Sequence, residues 1–143
     1  MTRKKRHWLW NTVIVLTVLI CLAAFILHFQ TWTREETDGV YLISGFYSTE
    51  ILYSEIENVS MVPRIPEMER VSGFSVWAVE KGIFRDTLEG VEGIRVYVDD
   101  LNQPKIKLER KEDSQIYFNF KDSVKTKEYF ELLQKKIDEN LPD

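Results

Sequence analysis

Residues 8–29 read WLWNTVIVLTVLICLAAFILHF, and this stretch decides how the rest of the chain is organised. It holds no Lys, Arg, Asp or Glu. At about 1.5 Å per residue, a helix of this length reaches roughly 33 Å, enough to cross a hydrocarbon core of about 30 Å. Trp8, Trp10 and Trp32 flank the stretch, and indole rings favour the headgroup region of a bilayer. The sequence therefore predicts one transmembrane helix over residues 8–29.

The charges around this span predict its orientation. Four basic residues lie in the predicted tail, residues 1–7, whereas residues 34–48 hold one. By the positive-inside rule, the N-terminus is cytoplasmic and the chain crosses the cell membrane once, with the remainder extracellular. A cleaved signal peptide is the rival interpretation, but its apolar region usually spans about 7–15 residues, and no A-x-A follows the run. A lipoprotein would use Cys21, but Ile20 stands where a small residue is expected.

After a predicted linker over residues 30–39, the rest of the chain suits one small domain, predicted over residues 40–141. From Arg34 onward there are 23 acidic and 15 basic residues, a net charge of about −8. An acidic domain is a poor electrostatic partner for nucleic acid or anionic lipid headgroups. We therefore expect no nucleic-acid binding.

The reactive side chains are concentrated in the predicted anchor. His7, Cys21 and His28 lie in or beside it, and the rest of the chain contains no His and no Cys. This removes Ser-His and Cys-His catalysis and metal sites built from those residues. No glycine motif for phosphate binding is present. We expect no enzymatic activity, no cofactor and no metal, although carboxylate and lysine chemistry stay open.

Segments typical of β-strands follow at the spacing of a sandwich or barrel. There are about seven, and the clearest are 40–47, 58–62, 71–79, 94–99, 106–109 and 116–120. From Ser123 to Glu139 there is neither Gly nor Pro, and apolar residues recur with helical spacing. Asp122 or Ser123 is a suitable N-cap. The sequence predicts a mainly β domain closed by one C-terminal helix.

The order of these segments resembles that of the bacterial pleckstrin-homology-like (PH-like) domains over most of residues 41–139. The segments that carry the resemblance are Tyr53–Ile56, the loop with Pro63 and Pro66, Ser72–Phe74, Lys81–Phe84, Arg95–Val98, Lys105–Leu108, Ile116–Phe120 and Thr126–Phe130. The resemblance implies a PH-like barrel, in which two near-orthogonal antiparallel sheets are capped by the helix. It implies little about a ligand. Phosphoinositide binding needs clustered Lys or Arg on the first hairpin loop, and the candidate loop, residues 48–50, has none.

Five residues form a candidate binding patch: Arg64, Arg70, Trp77, Lys81 and Arg85. The four cations suit a small anionic ligand or a peptide, although ordinary surface charges that balance an acidic domain are the simpler interpretation. Trp77 suits an exposed interface anchor. Its size and burial propensity instead favour the core or rim of the sheet, which is where we expect it.

Two groups of oxygen-bearing side chains are candidates for a metal site or a catalytic site. Asp99, Asp100, Asn102 and Gln103 do not match the spacing of an EF-hand loop, so we expect a solvated hairpin turn rather than a Ca²⁺ site. Glu55, Glu57, Glu67 and Glu69 offer carboxylates for glycoside hydrolysis, but nothing in their spacing sets two at the required separation. Gly73 and Gly82 are predicted to mark bends of the backbone.

These observations predict a single-pass bacterial membrane protein whose external domain is a non-catalytic binding or scaffold module near the membrane surface. Its partner would be a protein, with strand addition at an open sheet edge as one mechanism. Two alternatives stay open. One is a membrane-attached enzyme or transport accessory that uses carboxylates or lipid contacts, and the other is a structural component whose helix makes the contact.

Overall fold

The structure is a computed structural model that describes residues 3–112 and 114–140. The first two residues of the predicted tail and Leu141, the last residue of the predicted domain, lie outside the described residues. The chain begins with helix α1, Arg3–His28. Residues His7–His28 form a helix that is long and apolar enough to cross a membrane, a property that signal sequences share. The hydroxyls of Thr12 and Thr17 donate to the carbonyl groups one turn earlier, so neither needs water.

Nine strands and a second helix follow among the residues that the structure describes. The strands are β1 Thr31–Glu35, β2 Gly39–Ser44, β3 Tyr47–Leu52, β4 Ile56–Val62, β5 Glu69–Val76, β6 Val79–Arg85, β7 Ile94–Val98, β8 Lys105–Arg110 and β9 Ser114–Asn119. A 3-10 turn, Tyr53–Glu55, joins β3 to β4, and helix α2 covers Ser123–Asn140. The prediction of a mainly β domain with one C-terminal helix is confirmed.

The strands form two sheets. The first has the order β1-β2-β3, and the second has the order β4-β8-β9-β7-β6-β5. All pairs are antiparallel except β7 and β9, which run parallel, so the expected wholly antiparallel arrangement is wrong. Strand β9 lies at the centre of its sheet, and its segment Ile116–Asn119 is buried, as expected of a strand covered on both faces. The sheets keep separate edges, and no closed barrel forms among the described residues.

The count of nine strands exceeds the expected seven for identifiable reasons. The predicted linker, residues 30–39, contains β1, which pairs with β2 along its whole length. The predicted strand 40–47 is broken by a turn at Gly45, where φ is +62°, and the predicted strand 71–79 is broken by a turn at Trp77, where φ is +52°. Residues 48–50, expected in the first hairpin loop, lie inside β3.

Two apolar clusters stabilise the domain. The larger one lies between the two sheets and α2, and Tyr129 and Leu133 are the buried residues that α2 contributes to it. The smaller one covers the opposite face of the six-stranded sheet and includes Phe84, Ile94 and Val96. Asp122 accepts a hydrogen bond from the backbone of Val124, so it caps α2 as predicted, although the Val124 side chain itself is exposed.

Candidate functional site

The most unusual group in the domain is a buried lysine at the end of the β domain where α1 enters it. Lys81 lies in β6, and its side chain has no exposed surface. It is surrounded by Thr31 at the start of β1, Ser44 at the end of β2 and Asp99 just after β7, all three of which are buried. We call these four residues the buried ionic centre. It draws one residue from each of four separate segments that belong to two different sheets.

Every polar hydrogen of the Lys81 ammonium has an acceptor. Its Nζ donates to Asp99 Oδ1 at 2.6 Å, to Ser44 Oγ at 2.5 Å and to Thr31 Oγ1 at 3.1 Å. The carboxylate of Asp99 also accepts from the backbone N–H of Thr31 at 2.8 Å and from the Thr31 hydroxyl at 2.7 Å. Burial lowers the pKa of the Lys81 amine from its ordinary value, and the neighbouring Asp99 carboxylate opposes that shift.

Asn119, at the end of β9, fixes the segment that carries Asp99. Its side-chain oxygen accepts from the backbone N–H groups of Asp99 at 2.8 Å and Asp100 at 3.1 Å. Its amide nitrogen donates to the carbonyl groups of Asp100 at 2.7 Å and Pro104 at 3.2 Å. The Asn119 side chain therefore holds the β7–β8 connection, and with it the Asp99 carboxylate, in place.

The buried ionic centre contains a serine and a lysine in contact, which is a nucleophile–base pair in some enzymes. Here the Ser44 side chain is wholly enclosed, and its hydroxyl oxygen accepts a hydrogen bond from the Lys81 ammonium group. The arrangement instead suits a structural joint. Only Phe29 and Gln30 separate α1 from Thr31, so the four residues tie the exit of the helix to both sheets.

Two turns of the domain lie beside this exit. We call them the helix-proximal turns: Gly45–Phe46 between β2 and β3, and Trp77–Ala78 between β5 and β6. The rings of His28 and Phe46 are 4.4 Å apart, and those of Phe29 and Phe74, near the second turn, are 5.3 Å apart. Phe46 is 83% exposed and Trp77 is 98% exposed. The expectation that Trp77 lies in the core or the sheet rim is wrong, because it occupies a turn that projects beyond the sheet.

The five residues of the predicted patch do not form one surface. Lys81 is buried, Trp77 is at a turn, and Arg64 lies in the loop between β4 and β5. Arg70 is paired with Glu80 at 3.4 Å, and Arg85 is paired with Glu69 at 2.7 Å. Lys81 was missed as an interior residue because an inward-facing lysine in a short strand has the same local sequence as a solvated one.

The predicted carboxylate sets are also dispersed. Glu55 lies 3.9 Å from Arg110, and Glu69 pairs with Arg85, so these glutamates face cations rather than one another. Glu57 and Glu67 are exposed. Within residues 3–112 and 114–140, no group of three His, Cys, Asp or Glu side chains is arranged to hold a metal ion.

The predicted solvated turn at residues 99–103 is correct only in part. Asp100 accepts from the backbone N–H of Asn102 at 2.9 Å and from the Gln103 amide at 3.0 Å, as a turn requires. Asp99 is not solvated, since it belongs to the buried ionic centre.

A surface cleft of about 400 Å³ at the β1–β2 turn brings three carboxylates together. Glu36, Asp38 and Glu50 line it, and all three are exposed. Glu36 is paired with Arg34 at 2.7 Å. A second cleft, of about 540 Å³, lies between β4 and α2 and is lined by apolar side chains that include Met61, Val124 and Phe130.

No family model, curated protein or solved structure matches this chain.

Proposed function

We propose that this chain is a single-pass membrane protein whose β domain is a non-catalytic binding or scaffold module held at the outer surface of the cell membrane. The length and apolar composition of the span His7–His28 support the anchor, since the polar residues in its interior, Asn11, Thr12 and Thr17, are uncharged. The basic residues that precede the span support a cytoplasmic N-terminus.

The observation that carries this proposal is the buried ionic centre. It begins three residues after the last residue of α1 and links that point to β2, β6 and the end of β7. Because Thr31 is fixed within the domain, only Phe29 and Gln30 separate α1 from it, and a domain joined this closely to its anchor has little freedom to swing. It presents the same edges to every neighbour in the membrane, as a scaffold or docking module requires.

The outer edge of β5 is the contact surface that we propose. Strand β5 ends the six-stranded sheet, and its side chains are exposed along nearly its whole length. An edge strand of this kind offers unpaired backbone groups to a strand from another chain. The pairing with β6 is irregular at Val71, so a partner strand would add along residues 72–76.

We also propose that the β domain is related to the PH-like domains. Two β-sheets followed by a C-terminal helix that shares one apolar core with them support it. The parallel pairing of β7 with β9 departs from the expected pattern, so a relationship would have to be distant.

Photo-crosslinking in intact membranes tests the contact surface. A crosslinking amino acid at Ser75 or at Val76, both in the part of β5 where a partner strand would add, is expected to form a covalent product with a protein neighbour. The matched control is Leu88, which is also exposed but lies in the loop at the far end of β6. No product above background from either β5 position would contradict the proposal, and a product at twice 17.0 kDa would identify the neighbour as a second copy.

Topology mapping tests the orientation. A reporter fused after the C-terminus is expected to be accessible to protease added outside intact cells. Protection of that reporter until the membrane is opened would place the domain in the cytoplasm and overturn the proposed location.

A further inference from the structure

We propose that the helix-proximal turns insert Phe46 and Trp77 into the headgroup–acyl boundary of the same membrane that α1 spans. The inference rests on the proposed function in one respect, which is that α1 crosses the bilayer. It adds that the domain lies against the lipid surface, rather than standing clear of it, and that two aromatic side chains make the contact.

The position of Phe46 follows from the end of the helix. The apolar span ends at His28, and the ring of His28 contacts the ring of Phe46 at 4.4 Å. Gly45, the other residue of this turn, lies against the carbonyl oxygen of His28. Because the end of a transmembrane helix lies at the membrane–water interface, a side chain in contact with that end lies at the same depth.

The second turn lies at the same end of the domain. Lys81 and Asp99 lie at the same level as Thr31, where the chain leaves the helix. The β5–β6 hairpin extends beyond Lys81 as far as Val79, the first residue of β6, and its turn lies beyond that residue. The turn is held there because the backbone N–H of Leu101 donates to the carbonyl of Ala78 at 2.7 Å. The ring of Phe74, on the same hairpin, contacts Phe29 just after α1.

The chemistry of the two exposed side chains fits an interface of lipid and water. Tryptophan and phenylalanine place an apolar ring among the upper acyl segments, and the indole N–H keeps a polar partner in the headgroup layer. Trp77 also adopts a left-handed backbone conformation that disfavours bulky residues, and its side chain is almost wholly exposed within the chain itself. A contact outside the chain would account for that exposure.

The charges beside the helix exit favour a lipid surface as the occupant. Lys121 and Lys125 line the same cleft as Gln30, the residue before β1, together with Asp122 and Asp99. Asp99 is already neutralised by Lys81, so the exposed charges of this cleft are the cations Lys121 and Lys125 and the carboxylate of Asp122, a net charge of +1 that can face lipid phosphates.

Fluorescence of a single tryptophan tests the proposal on the full chain. Trp8, Trp10 and Trp32 are replaced by Phe, which leaves Trp77 as the only tryptophan of the four in the sequence. The protein is reconstituted in phosphatidylcholine nanodiscs, which leave both membrane faces open to solvent, with and without brominated acyl chains. The expected result is blue-shifted emission, strong quenching by the brominated lipid and weak quenching by aqueous iodide.

A matched chain provides the control. It differs from the Trp77 protein by two substitutions, Trp77→Gly and Leu88→Trp. Its single tryptophan therefore lies at position 88, on an exposed loop at the opposite end of β6. Glycine suits the left-handed turn, so this change is expected to preserve the hairpin. The control is expected to show severalfold stronger iodide quenching than the Trp77 protein and no response to brominated lipid.

Two outcomes overturn the inference, and they are distinguishable from failure of the anchor. If Trp77 is quenched by iodide as strongly as the control, the turn is in water. If Trp77 is shielded from both iodide and brominated lipid, a protein surface or a second copy covers it. In either case the chain still resists extraction at alkaline pH, whereas release by alkaline extraction would contradict the transmembrane anchor itself.

Discussion

Lys81 is a charged side chain with no exposed surface, and the groups around it account for its burial. Three acceptors take its three N–H donors, and the carboxylate of Asp99 supplies the compensating charge at 2.6 Å. A buried ion pair of this kind contributes little net stability compared with a well-packed apolar pair. Its removal one partner at a time is costly, because the other charge is then left without compensation.

Replacement of Lys81 by Met is therefore expected to lower the free energy of unfolding by about 3–5 kcal/mol, because Asp99 stays buried and unpaired. The measurement is guanidinium unfolding of the full chain in detergent micelles, followed by near-ultraviolet circular dichroism. The double variant Lys81→Met/Asp99→Asn is expected to recover part of the loss, since it removes the orphaned charge but keeps an acceptor for Thr31.

The matched control for this prediction is Lys135→Met, because Lys135 is a mainly exposed lysine on α2. Its effect is expected to stay within about 0.5 kcal/mol. Equal losses from Lys81→Met and Lys135→Met would contradict the structural role assigned to the buried ionic centre.

The protonation of Lys81 also predicts a dependence on pH. Burial lowers the folded-state pKa of the amine below 10.5, its value in the unfolded chain. At pH values between the folded-state and the unfolded-state pKa, the unfolded chain therefore binds more protons at Lys81 than the folded chain does. The contribution of Lys81 to the free energy of unfolding therefore rises with pH in this window. The destabilisation caused by Lys81→Met is expected to grow as the pH is raised from neutral toward 10.5. A difference between the two proteins that shrinks over that range would be inconsistent with the lowered pKa.

The buried ionic centre could not be predicted from local sequence. Lys81 and Asp99 are 18 positions apart, and Lys81 and Ser44 are 37 apart, so only the packing of the two sheets brings them together. The prediction for Trp77 was wrong for a related reason. Its burial propensity favours the core, whereas the turn between β5 and β6 projects it outward.

At the scale of single elements, the β5–β6 hairpin depends on a pair of facing glycines. Gly73 and Gly82 are cross-strand partners, and both have positive φ values. A Cβ atom on Gly73 would lie against the carbonyl oxygen of Lys81, and one on Gly82 would lie against the carbonyl oxygen of Ser72. The sequence predicts bends at these glycines, whereas in the structure both lie inside paired strands and are required by the close approach of the two backbones.

Gly73→Ala is expected to destabilise the protein by more than about 1 kcal/mol, because the opposing group is backbone and cannot rotate away. Thermal unfolding of the full chain in micelles measures this effect. Ser75→Ala, two residues along the same strand, serves as the control and is expected to change stability much less. A Gly73→Ala protein as stable as the Ser75→Ala protein would show that the two strands can separate at this point.

Most elements were predictable, and the exceptions have physical causes. The apolar run predicted α1, and the change from alternating to helical spacing predicted α2. Strand β1 was missed because its residues Trp32–Glu35 are polar or outward-facing at a sheet edge, which leaves no alternating pattern. The parallel pairing of β7 with β9 was also missed, since sheet order depends on long-range contacts that no single segment encodes.

At the scale of the whole molecule, the contacts at the helix exit join α1 and the β domain into one body rather than an anchor with a tethered domain. Helix α1 is followed within three residues by the buried ionic centre. Its last residue, His28, contacts Phe46 of one helix-proximal turn, and Phe29, the next residue, contacts Phe74 on the hairpin that carries the other turn. This joint would set the orientation of the β5 edge and the depth of Phe46 and Trp77. Both proposals therefore depend on a fixed relation between the helix and the domain.

The distance between the span and the far end of the domain tests that relation most directly. Spin labels are placed on Cys21, the only cysteine of the chain, and on Leu88→Cys, and their separation is measured by pulsed electron paramagnetic resonance in nanodiscs. A fixed relation between the helix and the domain predicts one narrow distance distribution. A broad distribution would contradict it, because it would mean that the domain moves freely on its anchor.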